Sequence, residues 1–343
     1  MVMLKRIWFL FLLVLLGYGE LPAKRLCRLP ELSKPGAVHV TDRYIYISAP
    51  TTLFIYKRQP CQLIRRIGKA GEGPLEFKKN HMGAGIQFGI SENNIYINSD
   101  GKLTILNRAG DLDREIRVPP MMHFIPAGDH FVSKTLHKGT GTFSTISIAL
   151  FDSKLDKKSD LYVSDIAFGM GAPIIYPPEN IDYRSAQGKI YISTGGDNIH
   201  ILKFGPMGNS EGSIVWKLPS REVEKSYQDS VRAYYRTNPR TKNYWGYYQK
   251  HLRFRKKYPG IRSFLIDDGR IYVQSYITVQ NQARWYIMDL KGNRIGTVLL
   301  PIIEVDPVEI GLHAMHRDKF FWITEGDDGE WELHSYPIRI QTR

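Results

Sequence analysis

Ten histidines, two cysteines and one glycine-rich run are the places where this 343-residue chain carries the raw material for chemistry. A helical zinc site needs His-x-x-x-His or His-Glu-x-x-His, so that two imidazoles share one helix face; neither spacing occurs. His313 and His316 lie three apart in a strand-like run, where alternating side chains send them to opposite faces. Neither Cys27 nor Cys61 has an adjacent base to activate it. The run "RRIGKAGEGPLEFKKN", residues 65 to 80, has the glycines of a phosphate cradle. A cradle must lead into a helix whose N-terminus faces the anion, and the sequel "KKNHMGAGIQFGI" has no helical period. The glycine run therefore reads as a structural connector, and no catalytic assignment follows from local motifs.

The elements that would position these residues repeat. "YIYIS" at 44, "NIYIN" at 94, "HFVSK" at 130, "KIYIS" at 189, "RIYVQ" at 270 and "FFWIT" at 320 are short strand signals. Each follows another apolar stretch and a polar turn rich in Asp, Asn and Gly, as tight hairpins require. Two further strands follow each signal, most clearly in "LTILNRAGDLDREIRV" at 103 and "WYIMDLKGNRIGTVLL" at 285. Four strands per unit at about 44 residues per repeat is the period of propeller blades. The spacing predicts an all-β, six-bladed β-propeller with blades over 36–77, 86–120, 123–165, 181–220, 261–302 and 311–340. Pro337 weakens the last strand of the sixth blade, and residues 21–29 are expected to supply an outer strand there and close the ring.

The glycine run then stands where the outer strand of blade one passes to the inner strand of blade two. Gly68, Gly71, Gly73, Pro74 and Phe77 resemble the glycine-proline-phenylalanine signature of NHL-type six-bladed propellers, although Leu75 stands where that signature usually has another glycine. The stretch "YPGIRSFLIDDGRIYVQS", residues 258–275, is similar to exported bacterial proteins grouped only as six-bladed β-propellers. These resemblances imply a fold and an exported setting, and no defined reaction.

At the N-terminus, Lys5 and Arg6 precede an apolar run from Ile7 to Leu16 that is too short to span a bilayer. With small residues at Gly17 and Gly19, residues 1–19 read as a signal peptide cleaved before Glu20, followed by an N-terminal segment, 20–35, and the propeller, 36–343. Cys27 follows Lys24, Arg25 and Leu26, unlike a lipoprotein cysteine. Export to the periplasm or the exterior of a bacterial cell is expected, with membrane association only through an uncleaved anchor. An oxidising compartment allows Cys27 and Cys61 to pair.

The net charge of +13 is concentrated. Residues 221–260 hold 11 Lys or Arg against three acids, together with nine aromatics. Val223, Tyr227, Val231, Tyr234 and Tyr235 recur at helical spacing, with Ser220 as the expected cap and Glu222 and Glu224 in the first turn. A second short helix is expected from Tyr244 to Arg255. This mainly helical insertion between blades four and five should lie on the rim shared by blade connections and by the loops between second and third strands. The polar candidates on that rim are His81, Asp100, His137, Asp197, Tyr276, Gln280 and Asp327, and Tyr244, Trp245 and Arg253 are the insertion's own binding candidates. Acids such as Asp42, Glu92, Asp129, Asp267, Asp268 and Asp318 fall in hairpin turns on the opposite rim.

The expected function is a non-catalytic, exported binding propeller. It would recognise an anionic ligand, a polysaccharide or a protein partner on the face with the insertion, and would need no cofactor. Basic residues among aromatics also suit nucleic acid, but export argues against that as the physiological partner. The alternative is a calcium- or zinc-dependent hydrolase or lyase at the central channel, where His39, His123 and His313 lie on predicted innermost strands; it rests on fold analogy.

Overall fold

A computed structural model describes residues 23–79, 85–139, 142–169, 171–302 and 311–341. Six four-stranded antiparallel sheets follow one another along the chain. From the inside outward, blade one is built from Ala37–Val40, Tyr44–Ser48, Leu53–Lys57 and Gln62–Ile67. The innermost strands of the next five blades are Gln87–Ile90, Phe124–Ala127, Ile181–Ala186, Ser263–Asp267 and His313–His316. The chain is a six-bladed β-propeller.

The second strand of each blade was the strongest signal in the sequence because it is buried on both faces. In blade one Ile45 and Ile47 pack against blade six, whereas Tyr46 between them packs against blade two. In blade five Ile271 and Val273 face blade four and Tyr272 faces blade six. Alternation therefore divides these side chains between two interfaces rather than between core and water. The outer strand Gln62–Ile67 has water on one face, and its burial alternates along its length. Each of six apolar clusters is shared by two neighbouring blades.

The ring closes through the N-terminal strand. Lys24–Leu29 pairs with Trp331–Pro337 as the outer strand of blade six, and Arg25 adds an ion pair to Glu332. Pro337 ends the third strand of that blade rather than interrupting its outermost strand. Cys27 of the closing strand is disulfide-bonded to Cys61 in the turn before the outer strand of blade one.

The glycine connector is filled from within. Two short parallel strands, Lys69–Ala70 and Glu76–Phe77, bring Glu76 back over the loop, where its carboxylate accepts the backbone N–H groups of Glu72 at 3.0 Å and Gly73 at 2.9 Å. The Gly73 amide, then Lys69, hold this carboxyl below its usual range. The anion in this nest is the chain's own side chain. Gly68 is required there: its φ is +93°, and a Cβ would stand 2.2 Å from the ring of fully buried Phe77.

On the rim formed by the hairpins between first and second strands, three blades are tied by charge. His316 of blade six meets Asp42 of blade one at 2.9 Å and Asp267 of blade five at 3.6 Å. Arg317 also pairs with Asp42, and Arg270 meets Asp318 at 2.9 Å. Asp42, Asp267 and Asp318 thus bridge blades in addition to standing at turns.

Candidate ligand site at the mouth of the axial channel

The opposite rim receives the connections between blades and carries two helices. Helix α1 spans Lys225–Thr237; a 3-10 turn, Lys242–Tyr244, precedes helix α2, Trp245–His251. Ser220 is not the cap of α1. Glu224 holds that position without a side-chain cap bond, because residues 221–223 are committed to a stem: Val223 N–H donates to Lys256 O, and Tyr258 N–H donates to Arg221 O. After α2 the chain turns extended, and Leu252–Phe254 pairs in parallel with Ile174–Tyr176 from the connection between blades three and four. The expected continuation of the second helix to Arg255 is replaced by this strand.

Two blade connections therefore form one small body with its own core. Tyr176, Val231, Tyr235 and Leu252 are buried in it, and Trp245 packs against them. Burial, and then the Tyr235 hydroxyl 2.6 Å away, raise the Tyr176 phenol far above its usual range. Most of the aromatic side chains and several of the basic ones thus have a structural use. Arg232 lies over Phe254, and Arg221 both stacks on Tyr258 and bonds Glu224.

This body also holds one wall of a cavity. Arg255 pairs with Glu179 at 3.1 Å and donates to Pro177 O, while the Tyr276 hydroxyl donates to Pro178 O. Segment 177–180 so fixed leads into the innermost strand of blade four and borders a cavity of about 570 Å³ at the propeller axis. Gln87, Asn98, His123, Lys134, Glu179, Asp182 and Arg184 are among the residues that line it. Most of these residues stand where innermost strands begin, so the cavity opens on the rim that carries the helices. Its volume lies in the range of ligand pockets, roughly 300–1,000 Å³.

The charges around the cavity are unevenly spent. Asp182 pairs with Arg184 at 2.8 Å and accepts from Tyr183 N–H, and Glu179 is taken by Arg255 and by the Gly196 amide. Asn98 is bonded through both ends of its amide to the backbone of Phe124, which locks blade two to blade three. Lys134 donates to the backbone carbonyl of Ile181 at 3.0 Å and, among the described residues, pairs with no carboxylate. Burial, and then the Lys134 charge, hold the His123 imidazole below its usual range, while Asp100 acts in the opposite direction.

The residues singled out from the sequence are dispersed. His123 lines the cavity and Asp100 is close enough to act on it, with Asp100 Oδ1 buried and without a hydrogen-bond partner among the described residues. Asp197 and Tyr276 border a separate crevice of about 20 Å³ beside Arg221 and Tyr258. His137, on the extended second strand of blade three, contacts Thr135 at 3.0 Å. Tyr244 is 65% exposed on the helical body, and Arg253 is exposed and bonded to the backbone of Lys250 and Leu252. Gln280 is an exposed turn residue with φ of +48°, and Asp327 lies in the turn before the third strand of blade six. His81 lies outside the described residues. Sequence reasoning missed Lys134, Asp182 and Arg184. The Asp-x-Arg alternation in "IDYRS" places two of them on one strand face, but its proximity to Lys134 depends on how blades three and four meet.

His39 and His313 lie on inner strands of neighbouring blades. His39 keeps exposed surface, and desolvation by the protein around it lowers its imidazole to about 4. His313, with Nδ1 bonded to Gly311 O and its ring edge-on to Trp285, is lowered to about 4 by burial. Among the described residues, no group of three His, Cys, Asp or Glu side chains is arranged to hold a metal ion.

These shifts have opposite consequences from that of His316, which is raised first by Asp267 and then by Asp42. The His316 contribution is complete below about pH 6.5 and is lost as pH rises through its elevated folded value. For His313 the unfolded chain takes up a proton first, so stability is complete above about pH 6.5 and falls toward pH 4. The His313 loss is on the order of 3 kcal/mol. Denaturant titrations between pH 7 and 4 should show a shallower acid-side loss in His313→Gln than in the wild type; parallel curves would refute the assignment.

No protein-family model matches the sequence, and no curated protein matches it. Among solved structures, the WD40 domain of Neurospora crassa Pan2 is similar with a TM-score of 0.44 and 8% identity, over 93% of this chain and 97% of that one. The β-propeller domain of Myceliophteria thermophila Cps50 (Swd1) gives 0.43 and 9%, over 91% and 99%. Kluyveromyces lactis Hsv2 gives 0.42 and 12%, over 89% and 75%. The blade count rests on the six sheets themselves.

Proposed function

We propose that this protein is a non-catalytic binding propeller that takes an anionic ligand or partner on the face carrying helices α1 and α2. The observation that carries this reading is the axial cavity of about 570 Å³, open on that face and walled by a segment that Arg255 of the helical body and Tyr276 of blade five hold in place. Such a pocket, built where several elements converge, is the default location for recognition. The exposed rings of Tyr244 and Tyr247 offer additional contact area on the helical body. The proposed setting is the periplasm or the exterior of a bacterial cell, and the disulfide is compatible with that compartment. An anionic polysaccharide or an acidic protein surface fits this setting, whereas nucleic acid does not. A metal-dependent hydrolase or lyase has no ligand set among the described residues to recommend it.

Both native cysteines are engaged in the disulfide, so one introduced thiol can be labelled selectively. A Gln87→Cys protein carrying a bulky maleimide should lose small polar ligands detected on the wild type by ligand-observed NMR. The same label on Asp129→Cys, in a turn on the opposite rim, should leave them bound. Equal effects of the two labels, or no ligand on the unlabelled protein, would overturn the reading.

A further inference from the structure

The second, third and outer strands of blade three, His130–Lys138, Phe143–Phe151 and Lys157–Ala167, run nine, nine and eleven residues. The corresponding strands of blades one, two, four and six have five to seven. The half of the blade-three outer strand remote from the helices carries devices that discourage edge pairing, Lys157, Lys158 and two register shifts. The half that reaches the helical rim, 162–167, has no lysine, no proline and no register shift. Its one charge, Asp165, is bonded to the Thr145 hydroxyl at 2.8 Å. The other outer strands are closed to a partner. Blades one, two and six put charged residues and a register shift in theirs. Blade five covers its own with Gln341, which exchanges two backbone bonds with Thr297. Blade four leaves only 213–216 between a register shift and Lys217.

The direction of the free backbone groups follows from the register. Phe168 N–H donates to Thr142 O at 3.1 Å, one step beyond the facing pair Phe143 and Ala167. Because bonded and unbonded pairs alternate in an antiparallel ladder, the N–H and C=O groups of Val163, Asp165 and Ala167 point away from the blade. Among the described residues no strand pairs with them, and the Ser164 hydroxyl reaches one carbonyl, that of Asp165, at 3.5 Å. Val163 is 54% exposed, Phe143 on the same sheet face is 55% exposed, and Phe168 follows at the strand's end. We propose that residues 162–167 take up an extended peptide segment of another protein as a fifth strand of blade three, with an apolar residue of the peptide opposite Val163 and a lysine or arginine opposite Asp165. A second copy of this chain is the poorer occupant. Pairing the six residues with themselves sets the two Asp165 carboxylates side by side. An edge about 20 Å long also offers a fraction of the roughly 800 Å² per partner found in stable dimers.

The probe is a phage-displayed library of random nonapeptides selected on the whole chain, with affinities of the enriched peptides measured by fluorescence anisotropy. The enriched peptides should carry a β-branched or aromatic residue two positions from a lysine or arginine. Val163→Lys, which adds the guard the other half of the strand already has, should weaken them at least about 10-fold. The same substitution at Val215, an exposed residue of the blade-four outer strand, should leave them unchanged. Asp165→Asn should reduce the preference for the basic residue. N-methylation of alternate amides along one edge of the peptide should abolish binding, and along the other edge should spare it, which docking through side chains alone would not produce. Failure to enrich any peptide, equal effects of Val163→Lys and Val215→Lys, or indifference to N-methylation would overturn the inference. So would a dimer in sedimentation that Val163→Lys dissolves, since a second copy would then occupy the edge.

Discussion

Replacing Cys27 and Cys61 together by serine is expected to lower stability by about 3 to 4 kcal/mol, a fall in Tm of about 5 °C for a chain of this length. The bond spans 34 residues and joins the strand that closes blade six to the turn before the outer strand of blade one. In the chain-entropy treatment its removal releases the unfolded chain from a loop of that size. The folded ring is affected as well. Without the bond, Lys24–Leu29 is held by its ladder to Trp331–Pro337, the packing of Leu26 and Leu29 and the Arg25 and Arg28 ion pairs with acids of blade six. Hydrogen exchange should therefore accelerate first at residues 24–29 and at their partners. Treating the wild type with reductant should reproduce the loss, and the double variant should become insensitive to reductant. An unchanged Tm after complete reduction would show that strand pairing alone closes the propeller.

Gly260→Ala is expected to cost about 3 kcal/mol, at the upper end of what overpacking normally does. A Cβ at this position would lie 2.3 Å from the carbonyl carbon of Asn198 and 2.7 Å from the Ile199 nitrogen, so it meets backbone rather than a side chain that can rotate away. Neither segment can yield. Gly260 N–H is bonded to Gly196 O at 2.9 Å, and Ile199 and Ile261 are buried in the core between blades four and five. The close approach fixes where the segment returning from the helical body enters blade five, beside the crevice lined by Asp197 and Tyr276. Gly246, in helix α2, is the contrasting case. Nothing lies within 4 Å of the position a Cβ would take there, and alanine should stabilise by about 0.5 to 1 kcal/mol through helix propensity and reduced chain entropy. Urea denaturation of the two variants should move in opposite directions. A neutral Gly260→Ala would mean that the two connections are not in contact.

The architecture was legible because its strongest signals are local. A strand clamped between two blades must be apolar on both faces, and the short runs "YIYIS", "NIYIN" and "KIYIS" say so without reference to anything distant. The hairpin turns and the closing strand followed from the same period. The ends of the helical elements were less legible. Stem pairing between residues 221–223 and 256–258 delayed the first helix, and a parallel partner from residues 174–176 ended the second. Both partners are remote in sequence, so local propensity could not register them.

The amino-acid sequence by itself determined the repeat, its four-strand unit, the concentration of basic and aromatic residues in one segment and the presence of two cysteines. Only the tertiary structure decided what those residues face. It put Glu76 into the glycine nest, turned most of the insertion's aromatics inward to build a core, and brought Lys134, His123, Asp182 and Arg184 together around one cavity. The reason is geometric. A strand pattern specifies which side chains share a face of one blade, whereas a site at the axis is assembled from several blades whose relative placement is set by the packing between them.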